Sequence, residues 1–285
     1  MRYLVTGATG FVGGHVARQL LEEGHEVVVL ARTPPKAADL AAAGADVVEG
    51  DVTEKESMRD GMDGVDGVFH LAGWYEVGAD DPTLGERINV DGTRNTFELV
   101  DELGIERSVY TSTLAVNSDT KGRLVDESYR YEGPHLTAYD RTKWAAHHEV
   151  VRPMAEDGLP VVTVLPGTVY GPGDTSQLGA LWPEYLRGGV PAVPRRSAYC
   201  WGHVEDIARA HLLAMERGTP GEEYIVAGEP ATLVEVFDLA EELTGVPAPR
   251  AVPPGLFRVA SRLAGVLERA VDLPADYRAE TLRVL

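Results

Sequence analysis

Residues 2–14, RYLVTGATGFVGG, decide the fold of this chain. Tyr3, Leu4 and Val5 form an apolar strand that runs straight into Gly7, Gly10 and Gly13. The stretch after them, GGHVARQLLEEG, carries Val16, Leu20 and Leu21 at helical spacing and has Gly24 near its end. Glycine allows a tight turn and lets the backbone come close to a bound group. A helix that begins just past such a turn offers free N–H groups and the positive end of its dipole. The G-x-x-G-x-x-G spacing between strand and helix therefore predicts a dinucleotide pyrophosphate held at Gly7, Gly10, Phe11, Val12 and Gly13. The alternative is a purely structural turn.

Outward from this stretch, strand and helix alternate through the first two-thirds of the chain. HEVVVLAR, ADVVEGDV, GVDGVFHLAG, RSVYTST and PVVTVLPG read as strands. KAADLAAAG and a long segment over about residues 83–103 read as helices, as does the segment around Tyr139. This alternation predicts a parallel sheet with right-handed crossovers, in which ligands bind beyond the carboxyl ends of the strands. The glycine turn, Asp51, His70, Thr113 and Pro166 all fall at such ends. The second strand closes on Leu30-Ala31-Arg32 with no carboxylate to take a ribose 2′-hydroxyl. Arg32 suits a 2′-phosphate, so NADP is preferred over NAD. Asp51-Val52 is placed to meet the adenine, with helix capping as the alternative for Asp51. Leu71-Ala72 ends the fourth strand where the nicotinamide half passes. His70 reads as a buried, hydrogen-bonded histidine.

Tyr139 and Lys143, in AYDRTKWAAHHEV, share one helix face at i,i+4. A phenol beside a fixed ammonium loses its proton more easily, which equips Tyr139 as an acid/base for an alcohol or a carbonyl. Chance alone would place about 0.15 such pairs in a chain of this composition, so the pair gains its weight from the glycine motif upstream.

The chain has 285 residues, a net charge of −19 and one cysteine, Cys200. An intrachain disulfide and a CxxC metal site are thereby excluded, and no metal is expected. The acidic surface repels nucleic-acid phosphates and anionic membranes. No apolar run approaches the ~20 residues of a membrane span, and the chain opens as a strand instead of a signal peptide. These features predict a cytoplasmic enzyme with a small-molecule substrate. Lysine is limited to Lys36, Lys55, Lys121 and Lys143. That acidic, lysine-poor balance resembles proteins of salt-loving organisms.

From TVYGPGD onward Gly and Pro become frequent, and Trp182, Tyr185, Tyr199 and Trp201 lie in or near loops. A helix over GHVEDIARAHLLAMERG and a strand at EEYIVAG return to the sheet. An amphipathic helix, ATLVEVFDLAEELTG, precedes a proline-rich connection to a last helical segment. We assign residues 1–168 and 203–228 to the nucleotide-binding domain, and residues 169–202 and 229–285 to a substrate-binding lobe wound together with it.

TGATGFVG, GDV, HLAG, NVDGTRN, VYTST, Tyr139-x-x-x-Lys143, PGTVYGPG and HVEDIARAH run in order from residue 6 to about 211. Together they resemble the extended short-chain dehydrogenase/reductases of the NAD-dependent epimerase/dehydratase family. The loop GWYEVG and LAR at the cofactor-selecting position look closest to its dihydroflavonol-reductase-like branch. The resemblance implies an α/β fold, a Rossmann-type doubly wound parallel sheet with a smaller C-terminal substrate lobe. It also implies bound NAD(P), a Thr113-Tyr139-Lys143 catalytic set and a homodimer. Tyr139 would be the acid/base. Lys143 would lower its pKa and hold the nicotinamide ribose. Thr113 would contact the reacting oxygen, with Ser112 as the neighbouring alternative, and Asn89 would brace the site.

Departures from the family pattern narrow the chemistry. Leu114-Ala115 follows Thr113 where dehydratases carry an Asp-Glu pair, which disfavours dehydration. Tyr199-Cys200-Trp201-Gly202 replaces the epimerases' Arg-Asp-Phe before His203, although Arg195 and Arg196 lie near. The first expectation is a reductase or dehydrogenase for a modest, apolar carbonyl compound packed against Trp74, Tyr75, Trp182 or Trp201. The alternatives are a nucleotide-sugar epimerase with tightly bound NAD, and an NADP-sensing module without turnover.

Overall fold

The sheet grows outward from β1 (Arg2–Thr6). The computed structural model describes residues 1–76 and 81–256. β2 (Glu26–Ala31), β3 (Asp46–Glu49), β4 (Gly67–His70), β5 (Ser108–Thr111) and β6 (Val161–Pro166) follow. The chain then leaves the sheet for β7 (Thr168–Tyr170), β8 (Ala192–Pro194) and β9 (Ala198–His203). It returns as β10 (Glu223–Val226) before β11 (Pro230–Thr232) and β12 (Arg250–Val252). The main sheet has seven strands in the order β3-β2-β1-β4-β5-β6-β10. All of its pairings are parallel. The order reverses direction at β1, so the crevice beside Gly7 opens at the switch point where such sheets take ligands.

Eight helices among the described residues complete the layers: α1 (Phe11–Glu22), α2 (Ala38–Ala42), α3 (Lys55–Met62), α4, α5, α6 (Gln177–Leu186), α7 (Val204–Arg217) and α8 (Leu233–Thr244). α4 joins Thr83–Gly85 to Gly92–Glu102 through a π-helical segment, Glu86–Asp91. α5 likewise joins Ala138–Ala145 to Arg152–Glu156 through π-helical Ala146–Val151.

The central strands are mostly apolar on both faces because both sides are covered. Their two-residue period divides the core. Val5, Val27, Val29 and Phe69 meet Val16 and Leu20 of α1 and Leu212 of α7 on one face. Leu4, Val28, Val68 and Tyr110 meet Met58, Phe97, Leu99 and Ala146 of α3, α4 and α5 on the other. Each such fully buried aliphatic side chain contributes roughly 1.5–3 kcal/mol before the cost of ordering the chain.

Beyond β6 a second, smaller core forms from Tyr185, Val193, Leu233 and Phe237. Around it lie a three-stranded sheet, β11-β9-β7, and a two-stranded pair, β12-β8. α8 starts at a capping box, in which Thr232 and Glu235 satisfy each other's backbone N–H groups. It stops at Gly245 with φ +72°. The last helical segment expected from sequence lies outside the described residues.

Candidate active site

The carboxyl ends of β1, β4, β5 and β6 stand side by side, with Thr6 opposite His70 and His70 opposite Tyr110. The Gly7 turn closes over this edge. Gly7 has φ +72°, and a Cβ there would lie 2.6 Å from the Ala72 nitrogen and the Leu71 carbonyl carbon. A Cβ on Gly13 would lie 2.3 Å from the Gly7 oxygen. At Gly10 a Cβ would meet only that same oxygen, at 3.2 Å, so this glycine leaves room beside the loop. α1 begins at Gly10 with no side-chain cap and no acid in its first turn. Its orphan N–H groups at Phe11, Val12 and Gly13 and its positive end fit a dinucleotide pyrophosphate.

Thr6 organises the strand edge. Its hydroxyl accepts the Leu71 and Ala72 N–H groups at 3.2 and 3.1 Å and lies 2.9 Å from His70 Nδ1. His70 Nε2 reaches Thr93 Oγ1 at 3.1 Å. Burial, aided by the Lys143 charge, pushes His70 down to about 3, so the ring is neutral. This is the buried structural histidine expected from sequence.

Arg32 is exposed and makes no hydrogen bond or ion pair among the described residues. Asp51 does not cap the next helix, which starts at Lys55 behind Glu54. Its Oδ1 instead accepts the Thr53 N–H and hydroxyl at 2.9 and 3.0 Å in a tight turn. Val52 is buried beneath Gly92, and Pro166 is buried at the end of β6.

Tyr139 and Lys143 lie on α5, whose first turn is capped by the Thr137 hydroxyl on the Asp140 N–H at 2.9 Å. The Tyr139 hydroxyl stands beside the Thr113 side chain, close enough for that group to act on it. Burial raises the Tyr139 phenol, Thr113 works against that, and nearby Tyr75 and Asp140 raise it further. Burial is the largest influence and leaves the phenol raised overall, in place of the lowering expected beside Lys143. Lys143 is 5% exposed. Its Nζ donates to the Thr111 carbonyl at 2.8 Å and the Tyr110 hydroxyl at 3.2 Å. The long side chain has reached fixed acceptors on β5, and burial lowers its pKa to about 7.

Thr113 also accepts the Ala115 N–H at 3.2 Å. Ser112, the neighbouring alternative, points the other way, because successive side chains of extended backbone alternate. It lies 2.7 Å from His147 Nδ1. Asn89, expected to brace the site, ties the Trp74 backbone to α5. Its Oδ1 accepts the Trp74 N–H at 2.7 Å, and its Nδ2 donates to the Trp74 carbonyl at 3.0 Å and to Thr142 of α5 at 2.9 Å.

The four aromatics separate on inspection. Trp74 is buried under Gly85, and Trp182 packs on Phe237 of the smaller core. The Trp201 indole N–H is tied to the Ala231 carbonyl. Tyr75 remains 54% exposed, its ring edge-on to Tyr139 at 4.8 Å. Nothing in the spacing of the sequence marked His147 or Thr6 as parts of this edge, and Ser112 was weighed only as the alternative to Thr113.

A doubly wound sheet with a glycine loop at its switch point and a Thr-Tyr-Lys set at the end of β5 defines a nucleotide-dependent oxidoreductase class. Residues 3–227 match the model of the NAD dependent epimerase/dehydratase family, and the chain belongs to that family as an enzyme of the extended short-chain dehydrogenase/reductase type. It is 34% identical over 274 residues to sterol demethylase protein B of Methylococcus capsulatus, across 94% of this chain and 83% of that one. It is 31% identical over 294 residues to a 4-hydroxy-2-methyl-3-oxo-4-farnesyl-3,4-dihydroquinoline-1-oxide ketoreductase of Stigmatella aurantiaca, across 100% and 85%. The solved structure of MoeE5 in complex with UDP-glucose and NAD is 27% identical, with a TM-score of 0.72 over 89% of this chain and 85% of that one. Among the described residues no helix is long and apolar enough to cross a membrane.

Proposed function

We propose that this enzyme moves a hydride between NADP(H) and the carbon of a ketone, an aldehyde or the corresponding alcohol, with Tyr139 as the acid/base. The observation that carries the reading is the placement of Tyr139 beside Thr113 at the carboxyl end of β5, with Lys143 of the same helix held on the Thr111 carbonyl at 2.8 Å. Gly10, Phe11, Val12 and Gly13 would hold the pyrophosphate, and Asp51 and Val52 would meet the adenine. Leu71, Ala72 and Pro166 would line the path of the nicotinamide half, with Tyr139 and Lys143 at its ribose. When bound, the nicotinamide supplies or accepts the hydride. Tyr139 gives its proton to the carbonyl oxygen, and Thr113 hydrogen-bonds that oxygen and holds the phenol in line. A phenol held protonated by burial is an acid at neutral pH, which suits the direction of reduction. Lys143 stabilises the phenolate left behind as its ammonium comes near. Tyr75, exposed and edge-on to Tyr139, forms a wall against which an apolar substrate packs.

The test uses NADPH with 9,10-phenanthrenequinone as a probe carbonyl compound. Tyr139→Phe is expected to lower kcat at least about a thousandfold while NADPH affinity stays within about threefold. Substantial remaining turnover removes Tyr139 from the role. Arg32→Ala is expected to weaken NADPH binding about tenfold and leave NADH unchanged, as loss of one charge-assisted phosphate contact would. An equal effect on both cofactors would remove the preference for NADP.

A nucleotide-sugar epimerase is the second reading. Arg195 and Arg196 favour it, being exposed beside β9 as a grip for a diphosphate. Denaturation of the purified protein separates the two: stoichiometric release of NAD supports the epimerase, whereas exchangeable NADPH supports the reductase.

A further inference from the structure

Three consecutive residues at the end of β5 each meet a different residue of α5. The Thr111 carbonyl takes Lys143, and the Thr113 side chain stands beside the Tyr139 hydroxyl. Ser112 takes His147, eight residues beyond Tyr139 on the same helix. The first two contacts involve groups of the proposed chemistry, whereas the third faces away from it. Ser112 and His147 are 4% and 2% exposed, so neither touches a substrate. His147 Nε2 lies 3.2 Å from Glu223 Oε1 on the edge strand β10, and that oxygen is also 3.8 Å from Arg152 Nη2. A carboxylate only accepts, so Nε2 carries a proton, and in the neutral ring Nδ1 accepts from the Ser112 hydroxyl. The bond is then fixed in direction, and both ends lie where water does not compete. His147 also lies in the π-helical segment of α5, where the altered winding turns it toward β5.

We propose that His147 is a positioning residue: anchored by Glu223 and bonded to Ser112, it sets the peptide that carries Thr113 and so holds Thr113 against Tyr139. This rests on the reductase reading of Tyr139. Without the anchor, Ser112 can turn and its peptide with Thr113 can rock. The bond between the Thr113 hydroxyl and the Ala115 N–H loosens with it.

Two substitutions separate this role from packing. In His147→Asn the amide oxygen stands near the place of Nδ1 and keeps the bond to Ser112. In His147→Gln the amide nitrogen reaches Glu223 and the bond to Ser112 is lost. Amide hydrogen exchange at Ala115 of the full chain reads the Thr113 side chain without any substrate. Exchange is expected to quicken about tenfold or more in His147→Gln and in Ser112→Ala, and to stay within about threefold of wild type in His147→Asn. With NADPH and 9,10-phenanthrenequinone, kcat should fall about tenfold in the first two variants, with the KM for NADPH unchanged. Combining Ser112→Ala with His147→Gln should add nothing further.

The proposal is overturned if His147→Asn suffers more than His147→Gln, as packing volume would dictate. It is equally overturned if the loss falls on KM or the double variant is additive. Ser112→Ala approaches the same bond from the other side, so a poorly folded His147 variant still leaves a decisive result. Tyr139→Phe keeps the two claims apart. A fully active Tyr139→Phe overturns the reductase reading and this inference with it. An inactive one, beside unchanged Ser112 and His147 variants, overturns this inference alone.

Discussion

At the scale of single residues, Gly10 and Gly13 look alike in the sequence and differ in what surrounds them. A methyl group on Gly13 would run into the Gly7 carbonyl at 2.3 Å, a backbone contact that cannot give way. Gly13→Ala should therefore cost about 3 kcal/mol or more, read as a fall in the urea midpoint. Gly10→Ala has a single contact at 3.2 Å and should leave the midpoint within about 0.5 kcal/mol. On the proposed cofactor site it should weaken NADPH binding at least about tenfold, measured by fluorescence titration, because the methyl group would stand where the pyrophosphate is proposed to lie. Equal effects of the two changes on stability would contradict this division. Tyr139, Lys143 and Thr113 were legible because their spacing and strand-end positions are local. The site of action of Lys143 was not. Helical spacing fixes the face on which a side chain starts, but the four-carbon stem ends on β5, 32 residues back in sequence. The Ser112–His147 bond spans 35 residues and leaves no local trace either.

At the scale of elements, the strands of the main sheet were readable because each is a short apolar run between turn residues. The helices that cover them have apolar faces of helical period. The long helix expected over residues 83–103 runs from Thr83 to Glu102 as α4. Its π-helical segment was invisible, since no residue type demands one. Yet that segment carries Asn89, and the corresponding segment of α5 carries His147. In both helices the locally widened turn aims a polar side chain at the sheet edge, as such turns often do at functional sites. The small strands β7, β8, β11 and β12 escaped the sequence reading for a different reason. Each has three residues, too few to show a period, and each pairs with a distant partner such as Thr168 with Trp201. Arg195 and Arg196 sit among these short pieces, which is why their reach toward a ligand could not be judged from spacing alone.

At the scale of the whole molecule, three histidines are folded into neutral positions. Burial lowers His70 to about 3, and His148 and His211 each to about 4; the neighbouring His147 adds to the effect at His148. In the unfolded chain all three take up protons near pH 6.5. Below that pH the unfolded state holds more protons than the folded one, so stability is complete above about 6.5 and is lost as pH falls toward 4. Urea midpoints should drop steadily from pH 7 to pH 4.5. A flat profile across that window would mean these rings are not held neutral. The net charge of −19 adds self-repulsion that weakens as carboxylates protonate, but that relief sets in only at the acid end of the histidine window.

The course of the chain through β10 has one more effect. After Pro166 the backbone departs, builds part of the smaller core, and rejoins the main sheet at Glu223–Val226 beside β6. On that outermost strand the Ile225 N–H is taken by the Glu127 carboxylate at 2.9 Å. An outer strand with its amide already engaged is a poor template for a foreign strand, so the sheet ends there instead of inviting fibrous growth.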